Sequence, residues 1–405
     1  MKYLPRTIEK AFDTIASEFK VVMISGLRGI GKRTLLKHLA SPNRHYVTLE
    51  DKKARQTAEV AQKAFFKDYP LPVFIDEIQK APSLFSQLKA EVDATDAYGQ
   101  AWISGSQRFS LMQGVGESLV GRLFEVRLMP LSIYEREGLG TSQTPYLPDF
   151  DRNATLKAKT AKETWETIFQ GAWPTLVGAS KQKRERFFEA FVSTFLERDL
   201  REIVTVTNLN AYRRFLQAIA LRTGQELRIN QLARLAGVSE PTVRNWLSIA
   251  QASGLIYLLM PFSSNKSASL VKSPKLYMTD TGLAAWLAGF TSATQLQSDT
   301  IAGAFFETFV VTEILKSWRH NGEEPRLFFY RDAKKQTEID LLIHADGFWH
   351  PVEITMTPNP QGSMIRHFKE LENLNLAVGT GALICLTPKR TYLSETVIAH
   401  SVWEM

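Results

Sequence analysis

The chain has a single cysteine, Cys385, in 405 residues. That excludes an internal disulfide and, for want of a second thiol, a cysteine-anchored zinc cluster. Cys385 lies in the apolar run Ala382 to Leu386, where packing is its expected role. Long apolar stretches are missing too. No run approaches the ~20 residues needed to cross a bilayer, and the opening MKYLPRTIEK lacks the apolar heart of a signal peptide. A soluble, cytoplasmic protein with no membrane partner is expected. Internal repeats and low-complexity tracts are absent. What is present is ordinary for globular proteins: 44% hydrophobic residues, with a net charge of +7. The excess charge and the pI near 9.3 permit nucleic-acid binding without demanding it, because the charge is spread over a large surface. The length exceeds one hydrophobic core and implies about two to four domains.

The most informative stretch is VVMISGLRGIGKRTLLKHLA, Val21 to Ala40. Val21 to Ile24 form an unbroken apolar run, the pattern of a parallel strand buried on both faces. Gly26, Gly29 and Gly31 then allow a tight turn whose N–H groups approach an anion where a helix begins near Lys32. The spacing Gly26, four residues, Gly31, Lys32 matches the P-loop pattern, in its required strand-before, helix-after context. ATP with Mg2+ is the expected ligand, with Arg28 within the loop and Lys32 as the mobile charge for the outer phosphates. One position departs. The pattern places a Ser or Thr hydroxyl on magnesium directly after the lysine, and here that residue is Arg33, with Thr34 one step and about 100° further round the helix. Thr34 replaces the missing hydroxyl only if the helix start is shifted.

Downstream, Val73, Phe74 and Ile75 run into Asp76 and Glu77. A buried strand ending in two carboxylates places Asp76 to hold magnesium through water and Glu77 to orient or deprotonate the attacking water. A third strand, Ala101 to Ser104, runs into Gly105, Ser106 and Gln107; Ser104 or Ser106 could contact the γ-phosphate, or the turn simply opens the next helix. Arg122 precedes a further strand and is a candidate sensor of the γ-phosphate of its own or a neighbouring subunit, or an ordinary surface ion pair.

The rest of the chain divides by composition. Residues 1–137 read as the nucleotide domain, 138–222 as a Gly- and Pro-marked loop followed by a helical connector or lid, 223–299 as a winged helix-turn-helix, and 300–405 as an α/β domain. In the third segment Leu232, Leu235 and Ala236 are expected to face inward, Gly237 to turn the chain, and Ser239 to cap a helix that buries Val243, Trp246 and Leu247. The loop that follows carries Lys266, Lys272 and Lys275, candidate phosphate contacts for duplex DNA, although Arg244 and Asn245 give the second helix little for base readout. In the last segment Glu307, Asp340 and Glu353, with Glu338 on the face of Asp340, form an acidic trio resembling the metal site of restriction-endonuclease folds. The lysine those folds place two residues after the last acid is here Thr355. Lys369 on the next helix is the candidate substitute; without it no nuclease activity is expected.

Taken together, YLPR, GLRGIGKRTLL, VFIDEIQK, ISGSQ, LVGRLFEVRLMPLSIYE, GAWPTLV, FLERDL, KLYMTDTGLAAWLAG, GAFFETFVVTEILK, TEIDLLI and PVEIT occur in an order that spans nearly the whole chain. The sequence thereby resembles a family of predicted bacterial and archaeal AAA-superfamily ATPases. Their ATPase domain is followed by a winged helix and a restriction-endonuclease-like C-terminal domain of unknown function. The resemblance implies ATP and magnesium at Gly26 to Thr34 with Asp76 and Glu77, and a regulatory or nucleic-acid-associated role, with a protein partner or self-association open. The family usually has threonine at the place of Arg33 and lysine at that of Thr355. Both of its chemical centres are therefore altered here.

Overall fold

Val21–Ser25 (β1) is buried at every residue, as its unbroken apolar run requires. It lies inside a five-stranded sheet of order β2-β3-β4-β1-β5, with β2 at His45–Thr48, β3 at Val73–Asp76, β4 at Ala101–Gly105 and β5 at Leu123–Arg127. All four pairings are parallel. The computed structural model describes residues 3–105, 119–152, 155–194, 208–263, 273–332 and 335–405. Ser106, Lys266, Lys272 and the FLERDL stretch lie outside them.

The leader and its helix α1 (Glu9–Glu18) cover one face of this sheet. Ile8, Phe12 and Ile15 are buried at helical spacing, and the Phe12 ring meets Trp102 of β4 edge to face at 4.8 Å. Each such side chain contributes about 1.5–3 kcal/mol by leaving water. The polar helix expected around Gln56 to Phe66 is two, Lys52–Val60 and Gln62–Asp68, interrupted at Ala61, whose backbone leaves the helical region at φ −138°. On the opposite face, Phe65, Phe85 and Leu88 pack under Val21, Met23 and Ile75.

The helix-turn-helix is formed by Ile229–Ala236 and Glu240–Ala252, with Gly237 in the left-handed conformation between them and the Ser239 side chain accepting from Thr242 N. Leu232, Ala233 and Ala236 face inward, but Leu235 does not; it is 49% exposed, since the buried stripe follows the i, i+1, i+4 positions. Two antiparallel strands follow, β7 (Ile256–Pro261) and β8 (Lys275–Met278), with the short strand β6 (Gln225–Glu226) added to β8.

This ribbon does not stand alone. β7 pairs in parallel with β9 (Arg326–Asp332), Met260 opposite Phe328 and Pro261 opposite Phe329. The result is one mixed nine-stranded sheet that continues through β10 (Thr337–Ala345), β11 (Phe348–Ile354), β12 (Gly381–Cys385), β14 (Val397–Ser401) and β13 (Thr391–Tyr392). The helix Ala302–Arg319 is buried on most of its surface, and it touches both the C-terminal strands and the nucleotide domain. Cys385 ends β12 and is buried, in agreement with its packing role. Among the described residues, no helix is long and apolar enough to cross a membrane.

Candidate nucleotide site and acid cluster

The loop after β1 carries three glycines in the left-handed region, Gly26 at φ 143°, Gly29 at 79° and Gly31 at 99°. At Gly26 a side chain is impossible for a second reason: a Cβ would stand 2.3 Å from the carbonyl oxygen of Leu128. The helix α2 (Lys32–Leu39) begins directly after Gly31, with no side chain capping its first turn. Its unpaired N–H groups and positive end are thus directed at the loop, the arrangement that receives a phosphate. Lys32 is buried, and its ammonium donates to the carbonyls of Gly26 at 2.8 Å and Leu27 at 2.9 Å. A bound phosphate has to draw that ammonium away from the loop's own oxygens.

Across the crevice, β3 ends in Asp76 beside the end of β4, with Asp76 in register with Ser104. The Asp76 carboxylate is 2% exposed and its oxygens are taken. Oδ1 accepts from Ser104 Oγ at 2.5 Å; Oδ2 lies 2.6 Å from Arg33 Nε and 2.5 Å from Arg33 Nη2, with Thr48 Oγ1 at 3.3 Å. Ser104 therefore holds the carboxylate rather than facing a phosphate. As the side chains stand, the Arg33 guanidinium occupies the oxygen of Asp76 that the water shell of a magnesium ion would meet. Thr34 does not repair this. One residue further along α2, it lines a cavity of about 330 Å³ on the opposite flank of the loop with Tyr3, Leu4, Leu131, Pro174 and Thr175, and it is not among the groups on Asp76. In this arrangement Thr34 and Asp76 do not face one another about a common point.

Glu77 follows in the left-handed conformation at φ 58°, a geometry that costs a non-glycine residue about 1–2 kcal/mol, and its Oε2 accepts from Gln79 Nε2 at 2.5 Å. Arg122 makes the surface ion pair, the alternative the structure shows. It precedes β5, its carbonyl accepts from Val21 N at the start of β1, and its guanidinium pairs with Asp93 at 2.6 Å. It thus lies at the edge of the parallel sheet opposite the loop, about 15 Å away by strand length, and cannot sense the γ-phosphate of its own site.

Sequence reasoning missed the loop's back wall. The buried Arg6, from the leader, donates through Nη1 to Ile30 O and through Nη2 to Met129 O, both at 2.9 Å, while its Nε lies 3.0 Å from Glu135 Oε1. Trp173 Nε1 donates to Arg28 O at 3.0 Å. Burial opposes the charge on Glu135, but Arg6 and His320 beside it hold the carboxyl well below the usual range. Burial pushes the His320 pKa down; its Nε2 accepts from Met129 N at 3.2 Å, and its Nδ1 lies 3.1 Å from Glu135 Oε1. The YLPR and GAWPTLV stretches were the available signal, each placing an Arg or Trp beside a turn.

Residues 18–137 match the family model of an AAA domain. The chain contains an AAA domain. Residues 161–294 match a domain of unknown function (DUF8612), and residues 302–405 a second one (DUF4143). Uncharacterized proteins of Mycobacterium bovis and Mycobacterium tuberculosis are each 26% identical over 382 residues, 94% of this chain and 79% of theirs. The Walker-type ATPase of Pyrococcus abyssi is 15% identical and aligns over 70% of this chain and 96% of its own, with a TM-score of 0.46.

The AAA domain is tied to the C-terminal domain through the segment after β5. Ile133 N donates to Glu313 at 2.8 Å, and Lys316 Nζ bridges Glu313 at 2.7 Å and Leu131 O at 3.1 Å. A second cavity, of about 380 Å³, separates the first half of the loop at Ser25, Gly26 and Leu27 from Gln251 at the end of the helix-turn-helix and from Arg319.

The acid cluster of the C-terminal domain assembles differently from expectation. Glu307, Glu338 and Asp340 converge, but on Lys275: its ammonium lies 3.0, 2.7 and 3.5 Å from their carboxylates. Lys275 is thus the first residue of β8 and buried, not a free cation of the loop. Tyr277 donates to Glu307 at 2.7 Å, and Asp340 Oδ2 accepts from Ile354 N at 3.0 Å. Glu353 Oε2 is buried without a hydrogen-bond partner. Burial first, and Asp340 second, push Glu307 up to about 7 and Glu353 to about 9. Among the described residues no group of three or more acid, His or Cys side chains is arranged to hold a metal. As the side chains stand, the place expected for a metal between Glu307, Asp340 and Glu353 is taken up by the Lys275 ammonium. Lys369 opens an exposed short helix and is not among the groups on the cluster.

Proposed function

We propose that this chain is an ATP-binding switch in which nucleotide at the AAA domain alters the disposition of the helix-turn-helix and C-terminal domains. The observation that carries the reading is the loop itself: three left-handed glycines and an uncapped helix start, with Lys32 bonded to its carbonyls and two acids across the crevice. Lys32 and the first-turn N–H groups of α2 hold the phosphates. The cavity lined by Tyr3, Leu4, Leu131, Pro174 and Thr175 receives the base, a flat ring against mainly apolar walls. Arg33 reaches from α2 to Asp76, a displaceable cation beside the outer phosphates whose bond to that acid slows hydrolysis. Glu77 is the base for an attacking water. The signal leaves through residues 128–135, which touch the loop at one end and the helix Ala302–Arg319 at the other.

Titration with an ATP analogue, with and without Mg2+, tests the reading on the full chain and on Lys32→Ala. Binding by the wild type that the variant loses supports it. Equal and negligible binding by both removes it.

The Arg33–Asp76 pair favours a second reading, an adaptor without catalysis that binds DNA or a protein through its helix-turn-helix. Arg244 and Asn245 are exposed on the second helix. Salt-sensitive affinity for duplex DNA is its signature, because each phosphate contact releases counterions. No binding at low salt in either nucleotide state would remove the DNA form of this reading.

A further inference from the structure

A restriction-endonuclease-like site is expected to gather its acids round a divalent metal, and the residues here do not fit one. Their convergence point is filled from inside the chain. Lys275 arrives on β8, outside the C-terminal domain, and its side chain is 6% exposed. Besides three carboxylates it meets the ring of Phe329 on β9, with Nζ 5.5 Å from the centroid. Tyr277, two residues along and so on the same face of β8, donates to Glu307. β8 therefore devotes both inward positions at this end to the cluster. The backbone join nearby is short: among the described residues β7 and β9 pair Met260 with Phe328 and Pro261 with Phe329, and Phe262 N donates to Phe329 O.

We propose that the ammonium of Lys275 is the resident cation of the Glu307, Glu338, Asp340 and Glu353 cluster, fastening the helix-turn-helix ribbon to the C-terminal domain and excluding divalent metal. A cation in this place has two consequences. An ammonium and a divalent ion cannot share one centre, because each lies within about 3 Å of the same oxygens and they repel. Glu338 is 37% exposed and also lies 3.8 Å from Arg331 Nε, which leaves the one ammonium to answer the more enclosed Glu307, Asp340 and Glu353. One positive charge cannot balance those three, and Glu353 Oε2 is left without a hydrogen-bond partner. Removing the lysine while keeping the acids vacates the centre for a metal.

The test compares the wild-type full chain, Lys275→Met, Lys275→Met with Asp340→Asn, and Asp340→Asn alone. Free Mn2+ is followed by electron paramagnetic resonance, and thermal unfolding is measured with and without millimolar Mn2+, all without nucleotide. Lys275→Met is expected to melt several degrees lower, to gain an Mn2+ site absent from the wild type, and to recover part of its melting temperature with Mn2+. Adding Asp340→Asn should remove both the site and the recovery. Hydrogen exchange in β7 and β9 should quicken in Lys275→Met without metal. Should that variant fold only with Mn2+ present, the proposal is supported in its strongest form. Three results would overturn it: a wild-type Mn2+ site lost in Asp340→Asn, Lys275→Met unfolding like the wild type, or Lys275→Met gaining no site. If Lys275→Met never folds, the wild-type comparison with Asp340→Asn decides: matching Mn2+ titrations uphold the exclusion of metal, and a difference overturns it.

Discussion

Arg33 clasps Asp76: two guanidinium nitrogens, Nε at 2.6 Å and Nη2 at 2.5 Å, converge on one carboxylate oxygen. The side chain that occupies the position usually given to a metal-binding hydroxyl is thus bonded to the acid usually given to the metal's water shell. Arg33 is 44% exposed at its side chain, so the pair is half open to solvent and can be displaced.

Replacing Arg33 with Thr is expected to raise Mg2+-dependent ATP turnover by about tenfold, equivalent to ~1.4 kcal/mol of barrier. The change frees Asp76 and restores a hydroxyl beside it. Steady-state phosphate release checks this. Wild-type turnover at ~1 s⁻¹ or above that does not respond to the substitution would mean that the arginine is no obstacle.

Lys32→Ala should weaken binding of an ATP analogue by about 10- to 100-fold, since hydrogen bonds to a charged group contribute about 1.5–3 kcal/mol. Calorimetric titration reads the effect directly. An affinity within a factor of two of wild type would place the phosphates elsewhere.

Arg6→Ala should cost about 3–5 kcal/mol of stability, the usual result of leaving a buried carboxylate, here Glu135, without its partner. Arg6→Lys should recover little of it, because one ammonium cannot reach Ile30 O, Met129 O and Glu135 together. Denaturant unfolding of the three chains separates these outcomes.

The pH dependence of stability carries the mark of Glu353. Its carboxyl is raised from 4.5 to about 9, so between those values the folded chain holds a proton that the unfolded chain has lost. Stability from this group is full below about pH 4.5 and declines as pH rises towards 9. Glu353→Gln keeps the shape without the ionisation and should flatten that decline in urea melts across the window. A wild-type decline left unchanged by the substitution would assign it to other groups.

Much of the AAA domain was legible because its signals are local. The apolar run Val21 to Ile24, the glycine spacing and the strand ending at Asp76 each depend on residues a few places apart, and each element lies within a residue or two of its expected bounds. Illegible were the contacts between segments distant in sequence. Nothing near Lys275 in the chain says that its ammonium meets Glu307 and Asp340, and a lysine beside a loop is ordinarily solvent-exposed. Arg122 forms the surface ion pair that was one of its two expected roles, and its sensor role within its own site falls away for a related reason: a residue just before a strand lies at the wrong end of a parallel sheet, which becomes visible only once β5 is known to run alongside β1. Strands β12 and β14, both buried, also went unplaced, because a short apolar run reads equally as strand or helix until its partners are known.

The back wall of the loop sets an order of synthesis. Arg6 is made before Glu135 and Trp173, and His320 well after them, yet all four close on one turn of backbone. A ribosome that has released residues 1–137 has delivered the whole match to the AAA domain, with Glu135 buried against Arg6 but lacking His320, and with Arg28 O lacking the indole of Trp173. Nucleotide binding by the nascent chain should therefore mature late, when the helix Ala302–Arg319 has emerged and docked, and a chain cut after residue 137 should hold the turn only loosely.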